Sequence, residues 1–374
     1  MNIGFDAKRA FFNKSGLGNY SRSILQLLSN YYPENNYFLY TPKAPTHADF
    51  INNSNLHVKT PRKRIHRVLN AYWRSYKLPG EFKYDGIDLF HGLSNELPVD
   101  ISKSSVKSIV TIHDLIFMRY PSLYNRIDKW IYEKKFKTSS RKADTVIAVS
   151  KQTKEDLVHF FNIDEKKIEV VYQGCDSIFY ESKPEEEKEH IRQKHGLPKT
   201  FLLYVGTIEE RKNALSIVKA LHKGGIDIPL VIIGKSTPYK KTIQQYIAEN
   251  KVKNAIQFYS EIPFEELPAI YQLAKAFVYP SVFEGFGIPI LEALNSQTPV
   301  ITTRGGCFHE TGGSHSLYVD PLNTEEIADA IRSVLYNEDL RKRMIEKGYE
   351  HAMKFRDEYV AKSMIDVYLR TIDK

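Results

Sequence analysis

Two doubly wound parallel α/β lobes in tandem are the fold class that the sequence predicts, and three observations predict it. Short β-rich runs alternate with helical stretches through the first half, the alternation restarts after a charged break, and the stretch from about Thr324 onward reads as helix throughout. At 374 residues the chain is too long for one ordinary core and suits two lobes of similar size.

The runs of the first half are IGFDA at the start, YFLYTP near Tyr37, DLFHG near Leu89, VKSIVTIHD near Ile112 and DTVIAVS near Ile147. VVYQGCDSIFYESK, Val170 to Lys183, ends a strand and leads into the charged PEEEKEHIRQKHG, which places the interdomain linker there. Expected lobes are therefore residues 1–176 and 177–355. FLLYVGT, IPLVIIG, AIQFYS, KAFVYPS and TPVITT supply the strands of the second lobe. The residues beyond them owe their helical reading to apolar spacing and to their Glu, Lys, Arg and Ala content. Open parallel sheets bind ligands beyond the carboxyl ends of their strands, so a cleft between the lobes is the expected active site.

Composition narrows the function classes. Hydrophobic residues at 42% and charged residues at 26% describe a folded protein rather than a disordered or fibrous one. No apolar run approaches a membrane span, and MNIGFDAKRA lacks the basic and apolar regions of a leader, so the expected location is cytoplasmic. Cys175 and Cys307 stand far apart without a CxxC or Cys/His cluster, which suggests neither a disulfide framework nor structural zinc. A net charge of +8 favours anionic company without choosing among substrate phosphates, nucleic acid and an acidic membrane.

One segment concentrates that charge. Lys59 to Lys77, KTPRKRIHRVLNAYWRSYK, contains no acidic residue. As a helix it would set Ile65, Leu69, Tyr72, Trp73 and Tyr76 on one stripe, with Arg62, Lys63, Arg64, Arg67 and Arg74 around it. Two readings stand open: a peripheral membrane or acidic-acceptor element at the inner face of the cell membrane, or a stripe packed on the first sheet with solvated basic residues. Nucleic-acid binding is not expected, because no recognised module surrounds the segment.

The strongest chemical signal is SVFEGFGIPILEALNSQTPVITT. A strand ends at Pro280, a glycine-flanked turn follows, and a helix opens near Pro289. A helix amino terminus offers unpaired N–H groups and partial positive charge, so Gly285, Phe286, Gly287 and Ile288 make a diphosphate seat. Glu284 on the turn suits sugar hydroxyls and Glu292 inside the helix suits those of a ribose. The bland alternative for either residue alone is a cap or a solvated surface glutamate. In YVGTIEERKNALSIVKAL, Arg211 and Lys212 fall at the start of a helix just beyond a strand, where cations meet the charge of a leaving nucleotide.

The spacing E-x7-E within EGFG-x-P-x-LEA resembles the hallmark of the retaining glycosyltransferases of family 4, whose GT-B fold has two Rossmann-like lobes facing across a cleft. The resemblance covers nearly the whole chain. SGLGNYSRSIL resembles the family's glycine loop, which implies that Gly16 and Gly18 lie beside the donor diphosphate and the acceptor; alone, that string is a weak motif without its third glycine. TIHDLIFMRYP places His113 and Asp114 at a strand end, where the family's histidine contacts the donor sugar and is needed for transfer. Asp114 then orients the imidazole or the loop. IQFYSEIPFEELPAIYQLAKAFVYPS resembles the base-binding stretch, with Ser260 standing where glycine is frequent and Ile262 nearby. Gly206-Thr207 departs from the GR that many members carry, and Arg211 is a candidate substitute.

What the resemblance implies is a retaining, metal-independent hexosyltransferase with catalytic His113, Asp114 and Glu284 and no cofactor. Its partners would be a GDP- or UDP-linked sugar donor, with mannose preferred, and a glycan or lipid-linked acceptor of surface polysaccharide assembly. It also implies lobe closure about a hinge near Gln173 to Asp176, with a final helix, 356–374, crossing back to the first lobe. The chain has no D-x-D and no His/Asp/Glu cluster at ligand spacing, so no metal is expected to bridge the diphosphate. Two other readings share the fold: a nucleotide-sugar epimerase or phosphorylase, which should not carry this EGFG-x-P string, and a catalytically silent binding subunit, which should show an eroded site.

Overall fold

A computed structural model describes residues 1–45 and 50–374. Its contacts divide the chain into an N-terminal unit, Met1–Gln173 with Asp357–Lys374, and a C-terminal unit, Gly174–Arg356.

The N-terminal unit is built on a seven-stranded sheet. Its strands are β1 (Asn2–Asp6), β2 (Asn36–Tyr40), β3 (Leu56–Lys59), β4 (Leu89–Gly92), β5 (Lys107–Ile112), β6 (Thr145–Ala148) and β7 (Ile168–Val170), in the order β3-β2-β1-β4-β5-β6-β7. Every pairing is parallel; β1, for example, sets Phe5 beside Leu39 of β2 and His91 of β4. Burial on both faces explains why β4 to β6 read as near-continuous apolar runs rather than alternating ones. The helix Gly16–Tyr31 turns Tyr20, Ile24, Leu25, Leu27 and Leu28 inward, and the last helix, Asp357–Ile372, meets it in the same core with Val360, Met364, Ile365 and Tyr368. Their three- and four-residue spacing is the apolar stripe of a packed helix.

The C-terminal unit repeats the plan with β8 (Leu202–Val205), β9 (Leu230–Ile233), β10 (Ile256–Tyr259), β11 (Ala276–Tyr279), β12 (Val300–Thr303) and β13 (Leu317–Val319), ordered β10-β9-β8-β11-β12-β13 and all parallel. Both sheets reverse direction of growth once, at β1/β4 and at β8/β11. At such a switch point the loops leaving the two adjacent strands diverge and open a crevice, which is where doubly wound sheets bind ligands. The predicted fold class is borne out by both units.

The segment 59–77 departs from the sequence expectation. It forms a helix at Arg64–Val68, a single α-helical turn at Asn70–Tyr72 and a π-helical turn at Trp73–Lys77, and of the expected stripe only Trp73 is buried. A single helix cannot run through, because Leu69 has ψ 50°. Packing of the stripe on the first sheet is therefore corrected to one anchoring tryptophan.

Gly18 has a packing reason of its own. A Cβ there would stand 1.9 Å from the Asn13 carbonyl oxygen, a backbone atom, whereas a Cβ at Gly16 meets nothing within 4 Å. Gly18→Ala should destabilise the N-terminal unit by about 3 kcal/mol, and Gly16→Ala should stay within about 0.5 kcal/mol. Thermal unfolding of the two variants side by side checks this; equal melting temperatures would contradict it.

Candidate active site

In the C-terminal unit the loops after β8 and β11 carry the charged residues. After β8 the chain turns through Gly206 into a short 3-10 turn, Glu210–Lys212, and the next helix begins only at Ala214 after Asn213 at φ 60°. Arg211 and Lys212 thus sit on the loop, one turn before the helix expected to carry them.

Arg211 ties the two loops together. Its carbonyl accepts from Val282 N at 2.8 Å, and its guanidinium donates to the Phe283 carbonyl, to Glu209 at 2.7 Å and to Glu284 Oε1 at 3.0 Å. Burial opposes its charge, but Glu284 and Glu209 outweigh that and raise its pKa further. Lys212 is held less closely: its Nζ stands 3.9 Å from Glu284 Oε1 and 5.7 Å from the Tyr279 ring centroid. Of the two cations, Lys212 is the one whose donors remain available to a ligand.

Glu284 and Glu292 share a pattern that spacing alone does not reveal. Glu284 Oε1 accepts from Tyr279 Oη at 2.8 Å and Ser281 Oγ at 2.9 Å, in addition to Arg211. Glu292 Oε2 accepts from Tyr271 Oη at 2.8 Å. Among the described residues the other oxygen of each carboxylate has no hydrogen-bond partner, so each keeps an acceptor for an incoming hydroxyl.

Their ionisation differs. Burial raises the pKa of Glu284, but Lys212, Arg211 and the two hydroxyls more than compensate and hold it below the ordinary carboxylate value. Glu292 is pushed up to about 7 by burial, only partly offset by Tyr271 and Lys212. One carboxylate is firmly ionised at neutral pH while the other is poised.

Between them lies the turn Gly285, Phe286, Gly287. Gly287 adopts φ 97°, a conformation that strains any L side chain, and caps the helix Ile288–Asn295, with Pro289 in its first turn. The Phe286 ring is buried against Phe355, so any donor contact there is through backbone. Cys307 Sγ donates to the Glu284 carbonyl at 3.2 Å and Thr311 Oγ1 to that of Phe286, which fix the turn from the 307–311 stretch. Ser260, exposed, and Ile262, half-buried, follow β10 at the same carboxyl end of the sheet, two strands from β8.

In the N-terminal unit, His113 follows β5 and is 8% exposed. Its backbone N–H donates to Asn95 Oδ1 at 2.9 Å, and its Nε2 stands 2.9 Å from the Leu93 carbonyl, which only accepts. Nε2 therefore carries the proton and Nδ1 is the acceptor. The ring meets Tyr20 edge-on, centroids 4.6 Å apart. Burial pushes its pKa down to about 4. Tyr20 in turn reaches Thr111 at 3.2 Å, and His91 joins Thr111 at 2.8 Å to Tyr368 of the last helix at 2.7 Å. Asp114 Oδ1 accepts from Ile116 N at 3.1 Å, which shapes the loop after β5. Gly16 opens the helix Gly16–Tyr31 and is exposed, while Gly18 is buried.

His113 held neutral predicts that its ring does not titrate between about pH 5 and 8. Long-range proton–nitrogen NMR should show one protonated Nε2 throughout; a midpoint near 6.5 would contradict the assignment.

Sequence reasoning missed Tyr271, Tyr279 and Ser281, which orient the two glutamates, and Tyr20, Leu93 and Asn95, which hold His113. The only available signal for Tyr279 and Ser281 was their place at the end of the β11 run. Among the described residues no group of three His, Cys, Asp or Glu side chains is placed to hold a metal ion. Nor is any described helix long and apolar enough to cross a membrane.

Residues 21–178 match the description Glycosyltransferase Family 4, and residues 186–351 match Glycosyl transferases group 1, so the two between them span most of the chain. The chain belongs to these glycosyltransferases. This family member is 31% identical over 225 residues to the O-antigen chain mannosyltransferase RfbU of Salmonella typhimurium, over 60% of each chain, and thus spans less than two thirds of that relative. It is 26% identical over 285 residues to O-antigen chain mannosyltransferase B of Escherichia coli, covering 75% of this chain and 74% of that one. Its fold is that of Anabaena HepE, solved in complex with UDP-glucose, with a TM-score of 0.77 at 16% identity over 99% of this chain and 100% of that one.

Proposed function

We propose that the protein is a retaining glycosyltransferase that moves a hexose, mannose in preference, from a nucleotide-diphosphate donor to a glycan or lipid-linked acceptor in surface polysaccharide assembly. The observation that carries this reading is the pair Glu284 and Glu292, each with one oxygen fixed by a tyrosine and one left open, beside Lys212 and the Gly287-capped helix. That set matches a sugar, a ribose and the diphosphate between them. The names of the two O-antigen mannosyltransferase relatives support mannose; a GDP-linked donor is the proposal that goes with it, and UDP-glucose, the ligand of the Anabaena protein, is the alternative donor class.

In the proposed step the bond between the anomeric carbon and the diphosphate oxygen breaks, and the electron pair leaves with the diphosphate. Lys212, the helix amino terminus and backbone amides receive that charge in place of a metal ion. The acceptor oxygen bonds to the anomeric carbon on the same face, and its proton passes to the departing phosphate oxygen. Glu284, ionised, accepts from a sugar hydroxyl, and His113, neutral, offers hydrogen bonding to the donor sugar. The acceptor is presented at the cytoplasmic face of the membrane.

Incubation with GDP-mannose, and with UDP-glucose in parallel, and an extract of lipid-linked glycans in the presence of chelator tests this reading. The expected product is an α-linked hexose by its anomeric carbon–proton coupling. A β-linked product, or transfer that requires restored magnesium, would contradict it.

A further inference from the structure

We propose that residues 63–77 form a docking surface for an anionic lipid bilayer. The segment is rooted at two points. Trp73 is 1% exposed, packed with Tyr40, Leu78, Phe82 and Phe90, and Arg74 is bonded to Asp6 at 2.6 Å and Glu96 at 3.2 Å. With those roots fixed, the remaining large apolar side chains project outward: Ile65 is 61% exposed, Val68 80% and Leu69 51%, with Tyr72 and Tyr76 also exposed. Ile65 and Val68 lie on the helix Arg64–Val68, Leu69 follows at its end, and beyond the break the Tyr72 and Tyr76 rings meet with centroids 5.4 Å apart. So many large apolar side chains exposed within one short segment mark a binding site.

Charge names the occupant. Lys63, Arg64, Arg67 and Lys77 ring the apolar tip, and among the described residues none of them has an acidic partner. The nearby acids, Glu81 and Asp85, are already taken by Arg62 and Lys59. Lys77 Nζ lies 5.5 Å from the Tyr72 ring, so its charge accompanies the apolar face. A second such element adjoins: Ile127 and Trp130 are exposed on the helix Arg126–Lys142, with Lys134 Nζ 5.1 Å from the Trp130 ring. Glu96 accepts from Arg74 and from Lys135 at 3.1 Å and thereby joins the two elements.

Aliphatic side chains do not stack on bases, which disfavours nucleic acid, whereas aliphatic residues with tyrosines at the rim and unpaired cations suit the headgroup boundary of an acidic bilayer. The proposal deepens the membrane-face reading above and rests on it for its purpose. Vesicle binding needs neither donor nor acceptor, so its failure would leave the transferase reading intact.

The test is co-sedimentation of the full chain with vesicles of phosphatidylcholine alone or mixed with phosphatidylglycerol, at low and high salt. The chain should pellet with the anionic vesicles at low salt and remain in solution with the neutral ones. Ile65→Ser with Leu69→Ser should lower the partition coefficient about ten-fold or more, and Lys63→Gln, Arg64→Gln and Arg67→Gln together roughly 100-fold. Both variants change exposed positions, and an unchanged circular-dichroism spectrum and melting temperature verify their folding. Wild-type protein that stays in solution with anionic vesicles, or variants that pellet like wild type, would overturn the proposal. So would retention of a DNA duplex, or self-association through this face, in place of vesicle binding.

Discussion

Lys212→Ala should lower the rate of donor turnover by about 10²–10³-fold, the loss typical of one preorganised donor to developing negative charge. The expectation follows from how differently the two neighbouring cations are used. Arg211 spends its guanidinium on Phe283, Glu209 and Glu284, whereas Lys212 stands 3.9 Å from Glu284 with its donors unspent. Removing Lys212 should leave the fold intact, and Lys212→Arg should recover part of the rate by restoring charge. Arg211→Ala should instead loosen the 280–287 turn and lower the melting temperature. Nucleotide release measured alongside thermal unfolding separates the two. A Lys212→Ala turnover within two-fold of wild type would remove that lysine from the diphosphate.

Glu292→Gln should change stability and donor affinity in opposite directions. Glutamine can still accept from Tyr271, so the change isolates the charge. In the folded protein the Glu292 carboxyl is pushed up to about 7 from an ordinary 4.5, chiefly by burial. A raised acid contributes its full stability below the unfolded value, and that contribution disappears as the pH climbs through the folded one. At pH 8 the ionised carboxylate therefore carries a penalty on the order of 2 kcal/mol that glutamine avoids, and the variant should melt higher than wild type. The donor ribose, by contrast, donates its hydroxyls to the ionised form, so the variant should bind donor more weakly by about 1.5–3 kcal/mol. Wild-type affinity should rise with pH from about 6 to 8 as the proton leaves. Calorimetry of both proteins at those pH values checks the pair; equal donor affinity in the variant would take Glu292 out of the site.

The two sheets were legible because parallel strands buried on both faces write themselves as apolar runs, as in FLLYVGT and KAFVYPS. The strands left unread, β3 and β13, are edge strands of four and three residues, and most of their residues are incompletely buried, so neither produces such a run. Periodicity also misdirected the reading of residues 59–77. Helical spacing presumes one continuous helix, which the backbone at Leu69 breaks, and it says nothing about which way a face points; of the five stripe residues only Trp73 is buried.

At the candidate site, what was legible was what is local. The turn and helix that carry Glu284 and Glu292 follow from glycine, proline and spacing within one string. The hydrogen bonds that aim those glutamates come from Tyr279 and from Tyr271, the latter on a different helix, and depend on strand register that no local pattern encodes. Arg211 illustrates the same limit: its sequence context suggested a phosphate contact, while its geometry shows a tether set by a carbonyl 72 residues away. His113 owes its neutral state chiefly to burial and its tautomer to the Leu93 carbonyl, and both are supplied by other elements.

The proposed chemistry requires a diphosphate seat in the C-terminal unit that needs no metal. Titration calorimetry of the chain with GDP, UDP, ADP and CMP, each with and without chelator, measures it most directly. One nucleoside diphosphate should bind, chelator should leave its affinity unchanged, and Lys212→Ala should weaken it. Absence of binding by all four at millimolar concentration, or affinity that vanishes with chelator and returns with magnesium, would contradict it.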